Sequence, residues 1–209
     1  MSWRIDGIGM WIAVVLAASQ SACTPGVTMT TRFNSRVEVA NAAPVKRLVV
    51  FESVERPGFG HDMHLGFVVA LTKRLSTCGV TARLLQAESS DLDPAARVAS
   101  NIQEFQADAV LLIRAAGGSV VNDRSGGNTD SALIFELKLI ETASQRMTWQ
   151  AKSQFTHSGG ASINNTDNDI DSGASFGTSI VSRLRDDRVL TGCPAPPAGW
   201  PELKRGRAA

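Results

Sequence analysis

Two stretches of strict alternation constrain this chain more than anything else in it. Leu133, Phe135, Leu137 and Leu139 fall on one side of a segment whose other side carries Glu136 and Lys138. After the turn Ala143–Arg146, Met147, Trp149, Ala151 and Phe155 answer, with Thr148, Gln150, Lys152 and Gln154 between them. Period two with one wet face is the mark of an antiparallel hairpin. Its dry face needs helices to cover it.

The segment before the hairpin supplies them. Val45–Phe51 is a short apolar run rich in β-branched residues and reads as a buried first strand. From Asp62 to Thr77 the spacing of Leu65, Val68, Thr72 and Leu75 is helical, with Lys73 and Arg74 in the last turns and Gly79 as the stop. Residues 80–86 form a second strand. Asp93 and Pro94 mark a helix start, followed by a stripe of Val98, Ile102 and Phe105. A third strand covers 107–121. A long polar loop after Phe155 leads to a last helix from about Ala174 to Arg188, which offers Phe176, Ile180, Val181 and Leu184 to the core. The expected fold is α/β (α+β): a mixed β-sheet, order β-α-β-α-β-β-β-α, with helices packed on the sheet and two right-handed crossovers in its parallel half.

The N-terminus carries a different message. The apolar run from about Ile8 to Ala18 is shorter than the roughly 20 residues a membrane-crossing helix needs, and it suits a secretory signal. It ends in Gln20-Ser21-Ala22-Cys23. These residues resemble a bacterial lipobox, in which the cysteine is acylated and becomes the first residue; Gln20 departs from the usual apolar residue. Ordinary signal cleavage, leaving Cys23 a free thiol, is the alternative. Thr24 lacks the acidic character of an inner-membrane retention signal, so the resemblance implies an outer-membrane lipoprotein facing the periplasm.

The chain has three cysteines, Cys23, Cys78 and Cys193. An odd count is awkward in an oxidising compartment. If Cys23 takes lipid, Cys78 and Cys193 can pair; two separate buried thiols are the alternative. The expected organisation is a signal peptide at 1–22, a flexible tether at 23–44, one domain at 45–193 and a disordered tail at 194–209. Such a tether of about 20 residues would reach roughly 25 Å.

Composition excludes more than it assigns. With 21 basic and 20 acidic residues and no basic stripe along the sequence, nucleic acid is not an expected partner. Tyrosine is absent, which speaks against an aromatic recognition groove.

Three local features carry a resemblance. "KRLVVF" opens the body, "FQADAVLLIRAAGG" leads a small acidic stretch into a strand, and "FELKLIETASQRMTWQAKSQF" is a strand–turn–strand. Together they resemble a group of envelope α/β domains that includes the N-terminal domain of TolB, the periplasmic part of CsgG and LpoB-like lipoproteins. The resemblance spans about Val45 to Leu190. It implies a scaffold or accessory role in secretion, transport or envelope assembly, and it carries over no catalytic residue.

"GASFG" at 173–177 has the form of a nucleophile elbow around Ser175, but a polar loop precedes it and no histidine follows His157. Asn165, Asp167, Asp169 and Asp171 alternate like the front of a calcium loop, yet the expected glycine and acidic twelfth ligand are missing in either register; Asp169 or Asp171 is expected to cap the last helix. His61 and His64 share a helix face and lack a third metal ligand, so exposed positions near Asp62 are expected. Trp149 is expected in the core, and Trp200 could dock a partner.

The expected function is therefore a lipid-anchored, non-catalytic module, without cofactor or metal. It would be held to the membrane by its N-terminal lipid and would bind an unidentified envelope protein. Strand addition on the hairpin edge is the expected mode, with Ile134, Lys138 and Gln150 as contact residues. A serine-type hydrolase using Ser175 or an Asp pair, and a carrier of an apolar ligand such as lipid, are the alternatives.

Overall fold

A computed structural model describes residues 28–39, 43–55, 59–87, 92–122, 128–160 and 166–194. In chain order the elements are β1 (Thr28–Val37), β2 (Arg47–Ser53), α1 (His61–Thr77), β3 (Thr81–Gln86), α2 (Pro94–Phe105), β4 (Ala109–Asn122), β5 (Asn128–Glu141), β6 (Met147–Gly160) and α3 (Thr166–Asp186). They form a mixed sheet of strand order β1-β6-β5-β4-β2-β3.

The parallel half follows from chain direction. β2 pairs in parallel with both β3 and β4. The first crossover steps to one flank of β2 and the second steps back to the other. Right-handed connections that reverse direction place their helices on opposite faces. Accordingly α2 covers Val49, Val110 and Leu112 on one face, while Leu48, Val50, Leu111 and Ile113 face the larger core on the other. The α2 start is the one read from sequence: the Asp93 carboxylate accepts the Ala96 N–H at 2.9 Å. Gly79, at φ 73°, ends the α1 turn in a conformation that a side chain would resist.

The hairpin matches its alternation. Leu133, Phe135, Leu137, Leu139, Trp149, Ala151 and Phe155 are buried beneath α1 and α3, with Trp149 fully enclosed. At the centre of this core lies Phe59, whose ring sits 5.6–6.2 Å from those of Phe67, Phe135, Phe155 and Phe176 in edge-on contact. Phe59 belongs to the stretch after β2 that reads as a loop.

The two helices over this core lie almost backbone to backbone. A Cβ added at Gly173 would overlap the Met63 carbonyl, and one added at Gly66 would overlap that of Ile170. At Gly177 it would meet the Phe67 carbonyl oxygen at 2.7 Å. "GASFG" is thus a small-xxx-small contact inside α3 and not a strand-to-helix turn.

Two expectations are corrected. The tether expected over 23–44 contains β1, which pairs antiparallel with β6 from Thr28↔Ser158 to Val37↔Trp149. Phe33 is buried, and its inward neighbours Thr31 and Ser35 are polar, so the strand is held by one aromatic and a ladder rather than by an apolar stripe. The last helix begins at Thr166, not near Ala174. Asp169 and Asp171 lie within its first turns, where negative charge suits the positive end of a helix; neither acts as the cap expected of it.

Cys78 and Cys193 are joined, across 115 residues. Cys23, the apolar run before it, Trp200 and the residues beyond 194 lie outside the described residues.

Candidate functional site

In open α/β sheets, ligands gather at the carboxyl end of the strand where successive connections part in opposite directions. Here that strand is β2. Its Glu52 is 1% exposed. One carboxylate oxygen lies 2.7 Å from His64 Nε2, and the other accepts the Val54 N–H at 3.2 Å. His64 Nδ1 is 3.4 Å from Glu55 Oε1, which is also 3.6 Å from His61 Nδ1. His61 is exposed as expected, but His64 is not: its ring ties the first turn of α1 to the end of β2 and stacks 6.3 Å from Phe67. Sequence reasoning missed this because the partner, Glu52, lies on another element. Both ring nitrogens of His64 face carboxylate oxygens, so neither is placed to take a proton from a hydroxyl nucleophile. Among the described residues no group of three or more His, Cys, Asp or Glu is placed to hold a metal ion.

Ser175 is half-buried in the middle of α3, two residues past the close contact at Gly173. Of the calcium-like pattern, Asp171 is exposed and Asp169 half-buried, while Asn165 and the Asp167 side chain lie outside what is described. Burial pushes the Asp169 carboxyl above its ordinary value; His157 pulls it down and Asp62 adds to the rise. A carboxyl raised in the folded state contributes stability that is complete below its unfolded value and fades as pH rises through the folded one. Asp169→Asn should therefore melt higher than the parent near neutral pH, with the gap closing below the ordinary Asp range. A gap that stays constant with pH would contradict this origin.

The contact residues read from sequence share one surface. Cross-strand register forms rows: Leu112–Lys138–Gln150–Arg36, then Arg114–Glu136–Lys152–Asn34, then Gly117–Ile134–Gln154–Arg32. Leu112 packs under α2, so these rows lie on the α2 side of the sheet. Over β5, β6 and β1 no described element covers them. Lys138 is exposed, and Ile134 and Gln150 are half-buried. Gln150 Nε2 donates to Glu38 at 2.7 Å, and Arg114 Nε and Nη2 donate to Glu136 Oε2 at 3.1 and 2.8 Å. That pairing, with Lys138 and Lys152 near, holds the Glu136 carboxyl below its usual range. A groove of about 410 Å³ runs between Arg36, Lys138, Gln150 and Lys152. The hairpin edge expected to accept a partner strand is occupied, since β1 pairs along β6. The sheet edges are β1 and β3.

A second hollow, of about 520 Å³, opens beside the amino ends of β2 and β4. Val37, Val39, Val45, Leu139 and Val189 line it, with Asp187 at its wall. Asp187 is held by the Trp149 indole N–H at 2.8 Å, the Ser35 hydroxyl at 2.5 Å and Arg183 at 2.9 Å. This network joins β1, β6 and α3; its acid is occupied by structure. No helix among the described residues is long and apolar enough to cross a membrane.

No family model matches the chain, and no curated protein matches it. Solved structures similar to it include bacterial lipoproteins. The PelC dodecamer from Paraburkholderia phytofirmans aligns with 74% of this chain and 94% of its own, at 17% identity and a TM-score of 0.43. Lipoprotein GNA1162 from Neisseria meningitidis aligns with 68% of this chain and 97% of its own, at 15% identity and a TM-score of 0.37. A minor lipoprotein from Acinetobacter baumannii aligns with 68% and 94%, at 11% identity and a TM-score of 0.34. At such identities the likeness concerns the arrangement of strands and helices alone.

Proposed function

We propose that this protein is a lipid-anchored accessory module of the outer membrane, facing the periplasm, that binds another envelope protein and performs no chemistry of its own. One observation carries the reading. Cys78 and Cys193 pair with each other, which leaves Cys23, in its lipobox-like setting, as the odd cysteine of the three. The resemblance to the TolB, CsgG and LpoB-like group supports a scaffold role within this reading. Docking moves from the hairpin to the outer edge of β1, a strand of 10 residues whose pairing groups on one side have no partner strand among the described residues. A photo-reactive side chain at Val37, exposed at the end of β1, should give an adduct with an envelope protein in native membranes, and one at Ser76 on α1 should not. Adducts at neither position, or at both equally, would contradict the docking mode.

A second reading, carriage of an apolar ligand, is favoured by the hollow lined by Val37, Val39 and Leu139. Native mass spectrometry of protein from its host distinguishes the two by a bound mass or its absence.

A further inference from the structure

We propose that the open sheet face of β4, β5, β6 and β1 rests on the anionic headgroups of a lipid bilayer. The chain as a whole is nearly neutral, with 21 basic and 20 acidic residues. This face is not: Arg32, Arg36, Arg114, Lys138 and Lys152 share it with only Glu38 and Glu136 among the described side chains of its rows. Arg114 spends its charge on Glu136, and Arg36 lies 3.4 Å from Glu38. Arg32, Lys138 and Lys152 have no salt bridge among the described residues and stand exposed.

The occupant follows from where the anchor lies, a step that rests on the lipidated Cys23 proposed above. β1 starts at Thr28, five residues after Cys23. Five residues span at most about 18 Å when fully extended. An acylated Cys23 therefore holds β1 beside the bilayer, with Arg32 and Arg36 four and eight residues beyond Thr28 on one face of the strand. The rest of this side carries little net charge. α2 turns Ala95, Ala96, Ala99, Ser100 and Gln103 outward, its exposed Glu104 is paired with Arg83 at 3.2 Å, and Leu92, fully exposed, stands just before it beside Asp93, whose carboxylate caps the helix. With this face on headgroups, the free edge of β1 points sideways along the membrane, where a neighbouring envelope protein can reach it.

The test uses the full chain carrying Cys23→Ser, so that it is independent of acylation. Its partition into vesicles of phosphatidylcholine is compared with partition into vesicles of phosphatidylcholine mixed with phosphatidylglycerol. The difference is the readout, because the apolar N-terminal run is present in both cases. Partition should favour the mixed vesicles and fall as salt is raised. Replacing Arg32, Arg36, Lys138 and Lys152 with glutamine should remove the preference, at about fivefold per cation near the surface. Lys73→Gln, on α1 across the sheet, should leave it unchanged. Equal partition into both vesicles, or equal loss on Lys73→Gln, overturns the proposal. So does binding to poly-glutamate without preference for the mixed vesicles, which would assign the face to an acidic polymer. Because the tested chain has no acyl group, such failures leave the anchoring at Cys23 to be judged separately.

Discussion

Gly173→Ala should lower the melting temperature sharply, although alanine is the better helix former. On an exposed helix the same change gains about 0.5–1 kcal/mol, because glycine loses more backbone freedom on folding. Here the new methyl has no room. It would sit inside the Met63 carbonyl, which is backbone and cannot rotate away. α1 and α3 must separate, and the Phe67–Phe176 stack at 5.6 Å and the Phe59 contacts open with them. Overpacking of this kind costs roughly 1–3 kcal/mol and sometimes more; we expect about 3, or a fall of about 6–12 °C for a chain of this size. Gly66→Ala should behave alike. The double variant should cost less than the sum, since helices already parted by one methyl have room for the other. A neutral or stabilising Gly173→Ala would mean that the helices are not in backbone contact.

Breaking the disulfide is the second large effect. Cys78 caps α1, and Cys193 follows a segment already docked by Leu190, which is buried, and by the Val189 N–H on the Leu184 carbonyl at 2.9 Å. Cross-linking over 115 residues removes unfolded-state freedom worth about 4–5 kcal/mol in the chain-entropy model. Native bridges in practice contribute about 2–5 kcal/mol, and the double variant Cys78→Ser/Cys193→Ser should lose about 3. Reductant should shift the parent's melting curve by the same amount and leave the double variant where it is. If reductant moves both curves or neither, the bridge is not what stabilises the C-terminal segment.

The parts of this fold that were legible are those whose signal is local. Alternation at Leu133–Leu139 and Met147–Phe155, the Asp93–Pro94 start of α2 and the stop at Gly79 each depend on neighbours a few residues away. β1 was hidden because its ladder partner, β6, lies more than a hundred residues along the chain, and because the inward Ser35 serves a half-buried Asp187 rather than an apolar surface. The first turns of α3 were hidden because their aspartates read as loop residues, although they sit at the helix end that favours them. Phe59 looked like loop because it enters the core as a single residue between β2 and α1. The site divides the same way. Lys138 and Gln150 were legible as the wet side of the hairpin. Their place beside Arg32 and Arg36, and the Glu52–His64 pair, needed the register of strands that the sequence does not spell out.

Lipid at Cys23 and a bridge between Cys78 and Cys193 would each leave its own mark on the mass of the chain. Intact mass of the mature protein, purified from its host and measured with and without reductant, tests both at once. We expect a chain that begins at Cys23, heavier than its residues by covalently attached acyl groups, and gaining two hydrogens on reduction. A chain of the same start with an unmodified thiol at Cys23, or one that still begins at Met1, would contradict it.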